Sequence, residues 1–151
     1  MTMETGRGPH LLVAAICQRA QQDQYGSFSL INLLEHLVAG SDDPNAPEQM
    51  PPFRLDANLV VMFVSGDAVG DRTVTVVAEQ PNGERLPPVS QRITLRGGDQ
   101  RATIVSDLSL DIDQTGVYWF EVYLDDELVT RIPLRIGYER GPREPWMDLI
   151  R

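Results

Sequence analysis

Few side chains in this sequence have the types and the spacing that catalysis or metal binding would need. The two histidines, His10 and His36, lie far apart, and neither stands in an HExxH or Cys/His pattern that would indicate zinc. Cys17 lies in an apolar run with no neighbouring base, which favours a buried apolar role over a nucleophile. The chain has no lysine for Schiff-base chemistry and no GxSxG elbow. The sequence therefore predicts a protein that is not an enzyme and has no metal and no cofactor.

Clustered carboxylates are the remaining pattern that could bind a cation. They form two groups, Asp107/Asp111/Asp113 and Asp125/Asp126/Glu127, and loop carboxylates of this kind can hold calcium. Neither group has the spacing of an EF-hand loop, and Asp113 has a structural use in shaping the chain before Tyr118. We predict no metal site, and calcium binding stays the open alternative.

Overall charge and the apolar runs limit the partners and the compartment. With 22 acidic and 13 basic residues the net charge is −9, which repels nucleic-acid phosphates and anionic lipid, so neither nucleic acid nor a membrane is expected as a partner. The apolar stretch 11–17 does not fit a lipoprotein signal, because Ile16 stands where a small residue should precede the cysteine. The single cysteine excludes an internal disulfide. A cytoplasmic protein is predicted.

Period-two alternation predicts strands from Arg54 onward. The first candidate strand has apolar residues at every second position: Leu55, Ala57, Leu59, Val61 and Phe63. A β-branched strand over 73–79 is followed by a turn at Pro81-Asn82-Gly83-Glu84. Gly97-Gly98 suits a two-residue hairpin turn between strands 91–95 and 99–110, which would place Ile93 opposite Ala102. Strands at such short intervals are typical of a sandwich or a barrel.

The segment 115–136 predicts two further strands joined by an acidic turn, and the side chains argue for one register. A two-residue turn at Asp125-Asp126 alone would place Phe120 opposite Arg131, which mixes core with charge. A three-residue loop, Asp125-Asp126-Glu127, instead pairs apolar with apolar residues, Phe120 with Ile132 and Tyr118 with Leu134. It also pairs the opposite charges of Glu121 and Arg131. Because a one-residue slip exchanges the buried and the solvated face, we predict the second register.

In this register the outer face of the hairpin carries aromatic and apolar side chains beside a charge pair. The predicted interface residues are Trp119, Tyr123, Val129 and Pro133, together with Trp146 of the C-terminal tail. Aromatic residues framed by charges are common in recognition surfaces, so we predict a non-catalytic protein-interaction or structural module, with self-association as a homodimer among its forms. Two alternatives stay open. The N-terminal segment or the Trp146 tail covers this face, or the module binds a small ligand or a carbohydrate by stacking on the aromatic rings.

The N-terminal third allows two interpretations. Leucines at helical spacing, followed by Gly40 as a C-terminal cap, favour a helix: Leu30, Leu33, Leu34, Leu37 and Val38. A helical hairpin turning at Tyr25-Gly26-Ser27 would make the fold α+β. A β-hairpin through the same Gly26 is the rival, and the need to cover an exposed sandwich edge favours it.

Short motifs spread over most of the chain form a recognisable set. They are an apolar strand ending near Cys17, Ser29-Leu30-Ile31, Gly70-Asp71-Arg72-Thr73-Val74, Gln80-Pro81-Asn82-Gly83, Gly116-x-Tyr118-x-Phe120-x-Val122 and Ile132-Pro133-Leu134. Together they resemble an uncharacterised bacterial family of small immunoglobulin-like proteins. The resemblance implies an all-β, immunoglobulin-like antiparallel β-sandwich whose first hairpin is also β, with no catalytic residues to carry over. We predict this fold for one domain, 1–138, followed by a proline-rich tail, 139–151.

Overall fold

Alternating apolar residues recur along most of the chain, and they form strands. The computed structural model describes residues 7–140. Within that range there are nine strands and no helix: β1 (His10–Gln22), β2 (Phe28–Leu33), β3 (His36–Ser41), β4 (Phe53–Val64), β5 (Val69–Glu79), β6 (Val89–Arg96), β7 (Arg101–Ile112), β8 (Gly116–Leu124) and β9 (Glu127–Arg140). The predicted all-β fold is confirmed, and the α+β alternative is wrong.

Two sheets pack face to face as an immunoglobulin-like sandwich. One has four strands in the order β2-β1-β4-β7, and the other has five in the order β3-β9-β8-β5-β6. Neighbouring strands are antiparallel except for β3 and β9, which are parallel. A parallel pair cannot be joined by a tight hairpin. Here the strands from β4 to β8, which belong to both sheets, lie between β3 and β9 in the sequence.

The inner faces of the two sheets form the main hydrophobic core. The alternating residues predicted for the strand from Arg54 all lie in β4 and are all buried: Leu55, Ala57, Leu59, Val61 and Phe63. The opposite sheet contributes Tyr118, Phe120 and Leu134 to the same core, each 0% exposed. Since side chains alternate along a strand, burial of Tyr118 and Phe120 turns the residues between and beyond them outward.

The favoured β-hairpin through Gly26 is present as β1 and β2, and the helical alternative is wrong because its leucines lie on different strands. Leu30 lies on β2 and Leu37 on β3, with the chain turning between them at Leu34 and Glu35. Leu34 and Leu37 pack against the main core, whereas Leu33 remains 57% exposed. A helix would have placed these residues on one stripe, but packing against two separate surfaces outweighs the weak local preference.

The predicted hairpin at Gly97-Gly98 is also wrong. Its two strands lie in different sheets, because β6 pairs with β5 and β7 pairs with β4. Both glycines have a positive φ, and the Asp99 amide donates to the Gly66 carbonyl (3.2 Å), which ties the turn to the end of β4. Positive φ angles serve a crossover between sheets as well as a hairpin, so the local residue pattern does not distinguish the two.

The closing hairpin has the predicted register but a different turn. Phe120 lies opposite Ile132, as predicted, and so do the other two predicted pairs. The loop is not three residues long, because Leu124 pairs with Glu127 across a two-residue turn in which Asp125 has a φ of 53°. A bulge at Val129 takes up the extra residue, since the pairing shifts between Val122 and Tyr123.

The β1–β2 hairpin covers the outer face of the four-stranded sheet. β1 pairs with β4 up to Cys17 and with β2 from Cys17 onward. Beneath the hairpin lies a second, small core of Cys17, Val60 and Met62, none more than 5% exposed. Four partly buried residues pack against it: Val13, Ala20, Phe28 and Leu30. This sheet is therefore apolar on both of its faces.

Candidate interaction site on the outer face of the β8–β9 hairpin

The outer face of the five-stranded sheet carries most of the interface residues that were predicted from the sequence. On β8, Trp119, Glu121 and Tyr123 alternate with residues of the main core and are only partly buried. Across the hairpin, Trp119 lies opposite Pro133 and Glu121 lies opposite Arg131. Because β8 is the central strand of this sheet, these side chains lie in the middle of the face.

Arg131 links the aromatic and the acidic parts of this face. Its guanidinium carbon lies 4.4 Å from the centre of the Trp119 ring, within the range of a cation–π contact. Its Nε is also 3.8 Å from Glu121 Oε2. One arginine is thereby held by two neighbours on the adjacent strand.

Arg85 adds a second cation that the sequence did not indicate. It lies in the connection between β5 and β6, where it forms an isolated bridge with Glu79. Its guanidinium pairs with Glu121 and lies 3.4 Å from the Tyr123 hydroxyl. The hydrogen bond to Tyr123 and the charge of Glu121 raise the pKa of Arg85, so it remains cationic.

These contacts join five side chains into one network, which we call the outer-face cluster: Trp119, Arg131, Glu121, Arg85 and Tyr123. At its centre, the Glu121 side chain is only 12% exposed and is flanked by both arginines. Exposed ion pairs and cation–π contacts contribute about 1 kcal/mol or less each, so the network adds little to stability. It does place a tryptophan, a tyrosine and two arginines in contact with one glutamate or with one another on this face.

Not every predicted interface residue belongs to this surface. Pro133 is exposed beside Trp119, as the sequence predicted. Val129 occupies the bulge and packs against the main core instead of facing outward. Trp146 lies outside the described residues. The N-terminal segment was one alternative cover for this face. Its β1–β2 hairpin packs on the other sheet, whereas its residues 33–35 line a cleft beside Arg131 and Pro133.

Arg85 could have been placed only in part from the sequence. The predicted turn is present, with Gly83 at a φ of 90° and its amide donating to the Gln80 carbonyl (2.8 Å). That turn folds Arg85 back toward Glu79. Its contacts with Glu121 and Tyr123 join two hairpins that are far apart in sequence, so local patterns contain no signal for them.

The side chains considered as a nucleophile or as metal ligands make contacts that support the fold. Cys17 is fully buried in the small core, and burial raises the pKa of its thiol, which disfavours the reactive thiolate. Asp125 accepts hydrogen bonds from the Thr73 amide (3.1 Å) and from Arg72 (3.3 Å), which fixes the end of the closing hairpin. Within residues 7–140, no three His, Cys, Asp or Glu side chains are grouped so that they could hold a metal ion. In the same range, no helix is long and apolar enough to cross a membrane.

Tyr118 is the buried residue at the entrance to β8. Burial raises the pKa of its hydroxyl, and the backbone near Asp113 and Gln114 partly opposes this change. Its hydroxyl has no hydrogen-bond partner within the described part of the chain. The side chain therefore serves the core mainly through its ring.

Two solved structures are similar to the chain at low sequence identity. An immunoglobulin-like protein from Pseudomonas aeruginosa is 14% identical, with a TM-score of 0.41, and the match covers 87% of this chain and 98% of that one. A β-glucosidase from Listeria innocua, solved in complex with glucose, is 11% identical, with a TM-score of 0.43. That match covers 82% of this chain but spans only 16% of the length of the enzyme.

No curated protein matches the chain. The match to a family is extensive, because residues 12–137 fit the profile of a family of unknown function. The resemblance to an uncharacterised immunoglobulin-like family, drawn from the motifs, is therefore confirmed. The chain belongs to the family of unknown function DUF6941.

Proposed function

We propose that this domain is a non-catalytic protein-interaction module that binds its partner through the outer-face cluster. The observation that supports the proposal most is the network itself, in which Arg131 stacks on Trp119 while Arg85 reaches Tyr123. Tryptophan, tyrosine and arginine are the residues most enriched at the energetic centres of protein interfaces. Side chains already held in place lose less conformational entropy on binding.

The surroundings of the cluster also favour a protein partner. Arg131 and Pro133 are exposed on β9, and Tyr123 is partly exposed on β8. The net charge of −9 disfavours nucleic acid and anionic membranes as partners. We place this interaction in the cytoplasm, where the single buried cysteine would stay reduced.

Carbohydrate binding is the second candidate, because sugar rings stack on tryptophan and tyrosine. Here the Arg131 guanidinium lies over Trp119 at 4.4 Å and occupies one face of that ring. Stacking of a sugar on this face would require Arg131 to move. Quenching of tryptophan fluorescence by a panel of glycans, lost in a Trp119→Ala variant, would favour this candidate over a protein partner.

Site-specific cross-linking tests the proposal directly. A photo-reactive amino acid at Pro133, beside Trp119, is expected to give one discrete cross-linked partner in cells that express the protein. The same group at Gln18, an exposed position of β1, is the control and should not give this product. Replacing Trp119 by Ala should weaken capture by about 30-fold if Trp119 is an energetic centre of the interface. A product that also forms from Gln18, or that survives Trp119→Ala, would contradict the proposal.

Light scattering identifies the case in which the partner is a second copy. If wild-type protein self-associates and a Trp119→Ala/Tyr123→Ala variant does not, the outer-face cluster forms a homodimer. A wild type that is monomeric at every concentration removes the homodimer form only. A dimer that the double variant leaves intact uses a different surface.

A further inference from the structure

Strand β7 has the longest free edge in the described part of the structure. It ends the four-stranded sheet, so on one side its backbone groups pair with no described strand. It is 12 residues long, whereas the other terminal strands β2, β3 and β6 have 6, 6 and 8 residues. β6 follows Pro87-Pro88, but β7 contains no proline. A long unprotected edge is a template for pairing with another chain.

An apolar groove runs beside this edge, at the seam where the two sheets separate between β6 and β7. It has a volume of about 180 Å³, and most of its lining is aliphatic or aromatic, including Leu86, Val89, Ile104, Leu108, Leu110 and Phe120. It reaches the main core, to which Ile104 and Phe120 belong. At the seam, Val89 is 66% exposed. The edge therefore offers apolar surface together with unpaired backbone groups.

The charges along this seam are divided between its two ends. Arg92, Arg96 and Arg101 line the end where β7 begins, and none of them pairs with an acidic residue within 7–140. Toward the other end of β7 lie Asp107 and Asp111. Asp111 accepts a hydrogen bond from Arg54 (3.0 Å), but its side chain is still 80% exposed. The edge is thus complementary to a copy of itself turned end for end.

We propose that a second copy of this chain adds to this edge, with β7 of one copy antiparallel to β7 of the other about a two-fold axis. Such a contact brings the arginine end of each edge to the aspartate end of the other, so the attraction occurs twice. It joins the two four-stranded sheets into one continuous sheet. The apolar grooves of the two copies then lie next to each other at the junction and are shielded from water.

The side chains of β7 select one register for this contact. Residues of β7 that face the core must lie opposite core-facing residues of the other copy. The two strands can therefore shift relative to each other only in steps of two residues. A pair centred on Ser106 places Arg101 opposite Asp111 and matches apolar inward residues, Ala102 with Leu110 and Ile104 with Leu108. A pair centred on Asp107 would bring two carboxylates together. A pair centred on Val105 would place Arg101 opposite Ser109, without an ion pair.

Charge reversal tests this register. Sedimentation velocity over a range of concentrations at low salt would compare wild type with Arg101→Asp and Asp111→Arg variants. Each variant alone places like charges opposite each other at both ends, so its homodimer Kd is expected to rise about tenfold. An equimolar mixture of the two variants should recover the dimer, because in the mixed pair each reversed position faces an opposite charge.

The controls separate this edge from other surfaces and from misfolding. Arg19→Asp changes an exposed arginine on β1 and should leave the Kd unchanged, and circular dichroism should show that every variant is folded. Recovery in the mixture supports the proposal and excludes misfolding as the cause. A monomeric wild type, a dimer insensitive to Arg101→Asp, or a mixture that does not recover would overturn it. A dimer lost in Trp119→Ala/Tyr123→Ala but kept in Arg101→Asp would also overturn it, because that result assigns the dimer to the outer-face cluster.

Discussion

The outer faces of the two sheets have opposite surroundings. On the four-stranded sheet, the β1–β2 hairpin packs over Val60 and Met62 and excludes water from them. On the five-stranded sheet, the equivalent face carries the outer-face cluster, in which charged groups and aromatic rings contact one another at the surface. The covered face contributes apolar burial, which stabilises the fold. The face of the outer-face cluster contributes little to stability, and the β1–β2 hairpin does not pack over it.

The largest expected difference is in the stability lost when a valine is replaced by alanine on each of the two faces. Val60 is 0% exposed on the covered face, so Val60→Ala should lower the free energy of unfolding by about 2 kcal/mol through lost burial and a cavity. Val77 lies on the face of the outer-face cluster, opposite Glu121, and is partly exposed, so Val77→Ala should cost less than about 1 kcal/mol. Urea unfolding of both variants measures the difference. Equal losses would show that the two faces are not distinct in their burial.

A second test destabilises the β1–β2 hairpin and measures how fast the Cys17 thiol reacts. Cys17 is fully buried with a raised pKa, so a thiol reagent should label native wild type only slowly. Phe28 packs against the small core, and Phe28→Ala should speed labelling by about tenfold or more by destabilising the hairpin locally. Tyr25→Ala, at the exposed tip of the same hairpin, is the matched control and should not change the rate. Rapid labelling of wild type would contradict the role of the hairpin as a cover.

The smallest effect is expected within the outer-face cluster. Arg131→Gln removes the contact with Trp119 and the ion pair with Glu121, and it should lower stability by about 0.5–1 kcal/mol. Arg135→Gln changes an exposed arginine on the same face of β9 and should change stability less. Thermal unfolding at low and high salt measures both, and the Arg131 effect should shrink with salt. A loss above about 2 kcal/mol would mean that this face supports the fold as well.

The closing hairpin shows how far the sequence could be used. Its register was predictable because the core residues Phe120 and Ile132 stand next to the charged residues Glu121 and Arg131, and a one-residue slip would place Phe120 opposite Arg131. The bulge at Val129 was not predictable, because a two-residue turn with a bulge and a three-residue loop give the same pairing of Phe120 with Ile132. The side chain of the bulged residue then turned inward, which removed Val129 from the predicted surface.

The candidate site was predictable to the extent that it lies on one hairpin. Trp119, Tyr123, Pro133 and the pair Glu121–Arg131 follow from strand alternation and register. The place of Arg85 in the site was not predictable. Its contacts with Glu121 and Tyr123 connect segments that approach each other only through the pairing of β5 with β8.

The sequence by itself determined the β structure from Arg54 onward and the inward and outward residues of the closing hairpin. These follow from period-two alternation, which is a local property of the chain. Only the tertiary structure decided that the chain crosses between the sheets at glycines 97 and 98, that the leucine-rich N-terminal segment forms strands instead of a helix, and that the β1–β2 hairpin packs on the outer face of the four-stranded sheet. Each of these depends on which surfaces meet across long sequence separations, and burial at those surfaces outweighs local preference.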